Sequence, residues 1–98
     1  MTLPADVEKY VCRKFTASDR DEALALLQNA VLHDGTAPGP RLLRCAAVAS
    51  GGEIGRLRME VETLKHDYRD VIVEGEYIPS GKGLIRVRDL NGPIPEES

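Results

Sequence analysis

The fold depends on how one stretch is interpreted: His66-Asp67-Tyr68-Arg69-Asp70-Val71-Ile72-Val73-Glu74-Gly75-Glu76-Tyr77. It contains two of the four aromatic residues of the chain. Residues 67–78 carry four acidic side chains and a single arginine, a balance equal to the net charge of −3 of the whole chain. The remainder is therefore neutral, and this stretch is the most distinctive part of the molecule chemically.

As a helix, the stretch begins with Asp67 as its N-cap. Tyr68, Val71, Ile72 and Gly75 then fall at i, i+3, i+4 and i+7, the spacing of one helix face. Gly75 would let another backbone pack closely against that face, at a cost of about 1 kcal/mol in helix propensity.

As a strand, the run 71–73 is β-branched, and a hairpin can close through a loop at residues 79–83. The resulting cross-strand pairs match both opposite charges and apolar side chains, which supports a hairpin. The predicted pairs are Glu76 with Arg86, Glu74 with Arg88, Ile78 with Leu84 and Tyr77 with Ile85. Both interpretations of the stretch stay open from the sequence.

The chain before this stretch is patterned for helices, with Ser18 as a cap, Pro40 at a first helical position and Ser50 at capping-box spacing from Glu53. We predict helices near 19–33, 40–50, 53–66 and 68–78, preceded by a short helix or ordered arm over Asp6–Phe15. The predicted fold class is mainly α, a small bundle of about four helices with an irregular C-terminal tail. The alternative is α+β, three helices plus a C-terminal β-hairpin formed by residues 71–78 and 84–90. We expect a single domain over 1–98, with 1–5 and 92–98 disordered.

Composition narrows the class of protein. The hydrophobic fraction of 42% and the charged fraction of 30% are those of a globular protein. No apolar run approaches the roughly 20 residues that cross a bilayer, and the N-terminus lacks the pattern of a secretory signal. Cys12 and Cys45 are therefore expected to be reduced thiols in a cytoplasmic protein, with Cys45 buried as a small hydrophobic residue.

The chain contains Asp67-Tyr68-Arg69-Asp70-Val71-Ile72 and then Glu76-Tyr77. These residues resemble a segment of small, uncharacterised bacterial proteins, in which DYRDV is followed by an alanine-rich turn and EY. The resemblance covers residues 40–78 and implies a bacterial protein in which this segment is helical. This chain departs from it at 73–75, where small or aromatic helix formers are usual. The family has no assigned function, so the resemblance implies none.

Tyrosine and arginine are frequent anchors at protein interfaces, and here they stand among acidic residues. We therefore predict a candidate interaction face, which consists of Asp67, Tyr68, Arg69, Asp70, Glu74 and Tyr77. The polar side of the preceding helix, which includes Glu60, is predicted to be a solvated surface. The leading hypothesis is a small cytoplasmic protein-interaction or regulatory module that uses the acidic face of residues 67–77, through a protein partner or self-association as a homodimer.

The alternative hypothesis is a small metal-dependent or acid–base enzyme that uses His66, Asp70 and Glu74, spaced at i, i+4 and i+8. Two carboxylates and an imidazole can bind a divalent metal. The span is about 12 Å along a helix, so a single ion would also need another chain or a distant residue such as His33.

No nucleophile stands at a recognisable spacing from either histidine, and we expect neither a catalytic residue nor a cofactor. We also expect no membrane partner and no nucleic-acid partner, because a net charge of −3 disfavours phosphate binding. The residues that would bind nucleic acid are Arg41, Arg44, Arg56 and Arg58.

Overall fold

The structure is a computed structural model that describes residues 3–81 and 83–94. Five helices precede one hairpin: α1 (Ala5–Lys14), α2 (Ala17–Gln28), α3 (Pro40–Ser50), α4 (Ile54–His66), α5 (Tyr68–Glu76), β1 (Tyr77–Ser80) and β2 (Gly83–Arg86). The predicted mainly α fold is confirmed, with five helices in place of about four and a small hairpin in the tail. Across the described ranges, every helix is too short or too polar to reach from one side of a bilayer to the other.

The two interpretations of the deciding stretch each hold for part of it. α5 continues to Glu76, and β1 begins at the next residue, where Tyr77 adopts φ −119° and ψ 154°. Pro79 accounts for the early end, because a proline in the helix would clash with the carbonyl four residues before it. The helix therefore ends before the predicted residue 78, and the strands are shorter than the predicted 71–78 and 84–90.

The predicted hairpin register is wrong by one residue. Tyr77 pairs with Arg86 and Ile78 with Ile85, whereas the sequence interpretation placed Tyr77 opposite Ile85. The reason is the turn, which occupies two residues between Ser80 and Gly83 and not five. Gly81 has φ +51°, the left-handed backbone that tight hairpin turns require.

α3 lies at the centre of the molecule and contacts α1, α4 and α5. Cys45, Ala46 and Ala47 are all fully buried on it, because small side chains let the neighbouring helices approach. The helix begins with Pro40, as predicted, and ends at Gly51 in the left-handed conformation.

One helix boundary differs clearly from the prediction, and it belongs to α2. α1 confirms the short helix that was one of the two interpretations of Asp6–Phe15, and it buries Val7, Tyr10 and Val11 in the core. α2 ends at Gln28, well before residue 33, because Asn29 leaves the helical conformation and its side-chain amide donates to the last turn at 2.9 Å.

Both ends of the described chain pack on the body of the molecule. Leu3 and Ile94 lie in the predicted disordered ends, yet they are buried with 3% and 6% of their surface exposed. The Ile94 N–H donates to Asp6 Oδ2 at 3.0 Å, and Arg44 of α3 donates to the same carboxylate at 2.8 Å. These bonds join the tail to α1 and α3. Residues 1–2 and 95–98 of the predicted ends lie outside the described residues.

Candidate functional site

Asp67 separates α4 from α5 and sets the direction of α5. It adopts an extended conformation, φ −155° and ψ 97°, and its carboxylate accepts a hydrogen bond from the Arg69 N–H at 3.1 Å. The Arg69 side chain donates to the same oxygen at 3.3 Å. Asp67 therefore acts as the predicted N-cap, and α5 is a new helix and not a continuation of α4.

Gly75 brings α5 into direct contact with α3. A Cβ atom added at Gly75 would lie 2.7 Å from the Cys45 Cα and 2.9 Å from its carbonyl oxygen. Val71, one turn earlier, is fully buried. This contact confirms the close approach predicted for Gly75 in the helical interpretation, and it leaves the opposite side of α5 in solvent.

The residues of the candidate interaction face lie in three places. Asp70 and Glu74 are exposed one turn apart on α5, with no salt bridge to any residue in the described ranges. Tyr68 and Arg69 lie at the start of α5, 41% and 77% exposed respectively. Tyr77 is half-buried at the start of β1. Because Tyr68 precedes Asp70 by two residues, it lies on a different side of the helix.

Glu60 of α4 is the residue whose environment the sequence interpretation got wrong. Predicted to be solvated, it is only 4% exposed, and its Oε2 has no hydrogen-bond partner among the described residues. Burial, and then the Glu74 carboxylate beside it, raise the pKa of Glu60 to about 8, with Asp70 adding to the effect and Arg56 opposing it. Glu60, Asp70 and Glu74 together form what we call the carboxylate cluster. Glu60 is the buried member of this cluster, and no basic side chain among the described residues forms a salt bridge with it.

Glu76 is a second buried carboxylate, and it differs from Glu60 in being fully paired. Arg41 donates through Nε and Nη2, both at 2.9 Å, and Arg86 donates through Nε at 3.0 Å. The Leu90 N–H donates at 3.3 Å. Hydrogen bonds from Arg41, then those from Arg86 and Leu90, lower the pKa of Glu76 to about 2 against the opposing effect of burial. Glu76 is therefore a structural anchor for the hairpin and tail.

Cys45 lies under this anchor, with its Sγ 3.6 Å from Glu76 Oε2. It is fully buried, as predicted. Burial and the neighbouring Glu76 charge raise the pKa of the Cys45 thiol to about 12, so it stays protonated and unreactive.

The structure does not place His66, Asp70 and Glu74 along one helix face, because α4 ends at His66 and α5 begins at Tyr68. The Nε2 atom of His66 lies 3.2 Å from Oε1 of Glu62, which is on the same helix. His66 and His33 do come together, in a cleft of about 330 Å³ that Asp67, Tyr68 and Arg69 also line. Within residues 3–81 and 83–94, no three His, Cys, Asp or Glu side chains are grouped to hold a metal ion.

Three of the four arginines considered for nucleic-acid binding have acidic partners within the molecule. Arg41 pairs with Glu76, Arg44 with Asp6 and Arg58 with Glu22. Their charges serve mainly to join elements of the fold.

Comparison of the chain with known protein families, curated proteins and solved structures finds no match. Function is therefore inferred from the geometry alone.

Proposed function

We propose that this protein is an interaction module whose carboxylate cluster docks a lysine- or arginine-bearing segment of a protein partner. The observation that carries the proposal is Glu60, a carboxyl group that is almost wholly buried and has one oxygen without a hydrogen bond. Buried polar groups are almost always hydrogen-bonded, so the unpaired oxygen of Glu60 calls for an explanation, and a cation from a partner would supply the missing bond.

Two exposed carboxylates lie beside this buried one. A side-chain hydrogen bond with Glu74, and then the negative charges of Glu74 and Asp70, add to the effect of burial in raising the pKa of Glu60. A cation from a partner would interact favourably with all three and would give Glu60 the hydrogen bond that it lacks. A basic segment is therefore the partner chemistry that fits the cluster.

The proposed module is a cytoplasmic bacterial protein, in line with the sequence interpretation. Support for the cytoplasm comes from Cys12 and Cys45, which are both free thiols.

The experiment measures binding of a peptide of alternating lysine and alanine, with a peptide in which glutamate replaces lysine as the negative control. We expect the lysine peptide to bind, and the double variant Asp70→Lys/Glu74→Lys to bind it roughly tenfold more weakly. Amide chemical shifts should change around Glu60 and Glu74 on binding.

The matched control is Glu8→Lys/Asp21→Lys, two exposed acidic residues on α1 and α2 that change the net charge by the same amount. This variant should keep most of the affinity. Equal loss of binding in both double variants would show attraction to net charge alone and would contradict a site at the carboxylate cluster.

A further inference from the structure

Four of the six large hydrophobic side chains that are exposed in the described part of the chain lie in the hairpin or directly after it. Ile78, Leu84, Ile85 and Val87 are 42–54% exposed. Ile78 and Ile85 are directly paired, so they share one face of the sheet, and Val87 follows on that same face. The anchor at Glu76 holds the hairpin on the helices, but this apolar face of the hairpin stays in solvent.

One hydrogen bond shows which main-chain groups of the hairpin point outward. The Val87 N–H donates to the Glu76 carbonyl at 2.7 Å, so residues 76 and 87 form a hydrogen-bonded pair. Hydrogen-bonded and non-hydrogen-bonded pairs alternate along an antiparallel ladder. The non-hydrogen-bonded pairs, whose main-chain groups point away from the hairpin, are therefore Tyr77–Arg86 and Pro79–Leu84.

The two edges of the hairpin differ in their ability to pair with another strand. On β1, one outward position is Pro79, which has no N–H to donate, so this edge is blocked. On β2, the outward positions are Leu84 and Arg86, which both have an N–H and a carbonyl. The described sheet has only two strands, so the β2 edge is open.

We propose that β2 pairs antiparallel with β2 of a second copy of this chain, about a two-fold axis that passes through Ile85. Leu84 would then form a hydrogen-bonded pair with Arg86 of the second copy, and Ile85 would lie opposite its own equivalent. Because Ile78 is already beside Ile85, four isoleucines would form a continuous row across a four-stranded sheet.

The composition of β2 favours this register over its neighbours. A shift of the pairing in one direction would put Arg86 opposite Arg86 of the second copy, and like charges directly opposite each other destabilise a sheet. A shift in the other direction would put Ile85 opposite Gly83 of the second copy and would break the row of isoleucines. The strand is thus self-complementary in one register, which identifies a second copy as the occupant that fits best.

The size of the surface predicts how tightly the copies associate. Half-exposed side chains of four aliphatic residues offer on the order of 200 Å² of apolar area per copy. A stable complex buries about 800 Å² per partner. The dimer should therefore be weak and concentration-dependent, and it is independent of the partner proposed for the carboxylate cluster.

Disulfide trapping tests the register. With Cys12, the exposed thiol, replaced by serine, Ile85→Cys should give a covalent dimer on oxidation with diamide, because residues on the axis form a non-hydrogen-bonded pair about 4.5 Å apart. The matched control Ile78→Cys lies on the same face, but three strand spacings, about 14 Å, separate it from its equivalent. It should stay monomeric. Cross-linking of both variants to the same extent, or of neither, would overturn the proposal.

A second variant tests the edge without relying on a cysteine. Leu84→Pro removes an outward N–H that the hairpin does not use, so the fold should survive, as it does with Pro79 on the other strand. Sedimentation at increasing protein concentration should show self-association of the natural chain and its loss in this variant. A natural chain that stays monomeric, or a proline variant that associates equally well while its circular dichroism is unchanged, would contradict the β2 edge. Cross-linking of Ile78→Cys without cross-linking of Ile85→Cys would instead indicate face-to-face packing of two hairpins and would also refute the pairing.

Discussion

Glu76 is the single residue on which most of the tertiary structure converges. Its carboxylate receives hydrogen bonds from α3 through Arg41, from β2 through Arg86 and from the tail through Leu90. The sequence indicated one of these contacts, since opposite charges at 76 and 86 suggested the hairpin. The contact with Arg41 could not be found in this way, because 35 residues separate the two and no local pattern connects them.

Glu76→Ala should destabilise the protein by about 3 kcal/mol, because removing one partner of a buried ion pair leaves the other charges uncompensated. The value is at the low end for buried pairs, since Arg41 and Arg86 are 36% and 40% exposed and can be rehydrated. Urea unfolding measures it. Asp21→Ala, an exposed change on α2, should stay within about 0.5 kcal/mol of the natural protein. A similarly small change in the free energy of unfolding for Glu76→Ala would contradict the role of Glu76 as an anchor.

Glu60 gives the protein a stability that should fall as the pH rises. Its folded-state pKa of about 8 exceeds the ordinary value of 4.5, so the folded state holds its proton more tightly than the unfolded state does. This stabilisation is present below pH 4.5 and is lost progressively up to pH 8. Glu60→Gln should therefore raise stability by about 1–2 kcal/mol at alkaline pH and change little in acid, a figure reduced for the screening near exposed Glu74.

Urea unfolding of the Glu60→Gln variant across this pH range supplies the test. A gain in stability that is the same at all pH values would reflect packing, and no gain at any pH would contradict a protonated Glu60. The sequence does contain a signal for this burial, since Glu60 lies three residues after Leu57 and four before Leu64 and so falls on the apolar face of α4, whereas exposed Glu62 does not.

At the scale of the elements, the contact between α3 and α5 depends on Gly75. Gly75→Ala should destabilise the protein by about 1–3 kcal/mol, because the added methyl group meets the Cys45 backbone at 2.7 Å. This effect opposes and exceeds the gain of up to about 1 kcal/mol that alanine brings to helix propensity.

Gly55→Ala on α4 is the matched control, since nothing lies within 4 Å of its added methyl group. It should stabilise the protein by about 0.5–1 kcal/mol. Thermal unfolding of the two variants should shift the melting temperature in opposite directions. If both variants shifted the melting temperature in the same direction, α3 and α5 would not be in the close contact described at Gly75.

The deciding stretch also shows what the sequence can and cannot predict about an element. Asp67 as a cap and Gly75 as a contact point both followed from helical spacing, and both are confirmed. The register of the hairpin did not follow, because matching charges and apolar residues allowed a five-residue loop as well as the two-residue turn that contains Gly81. Turn geometry, and not side-chain pairing, sets the register.

For the molecule as a whole, helix order and class were predictable, because apolar spacing, Pro40 and Gly51 mark most boundaries. The candidate site was predictable only in part. Asp70 and Glu74 were identified from local charge, but Tyr68 and Tyr77 lie elsewhere, and Glu60 joins the cluster from another helix. The tail was expected to be irregular; the anchor at Glu76 and the bond from Ile94 to Asp6 order its described part instead.

The central claim, that the carboxylate cluster receives a cation from a partner, is tested most directly by proton release. The lysine–alanine peptide is titrated into the protein by calorimetry at about pH 7, in buffers that differ in ionisation enthalpy. Free Glu60 is mostly protonated there, so an arriving cation should expel its proton, and the measured heat should vary with the buffer. Glu60→Gln should bind without that variation. Binding whose heat is independent of the buffer, or that releases the same number of protons from the glutamine variant, would contradict the account.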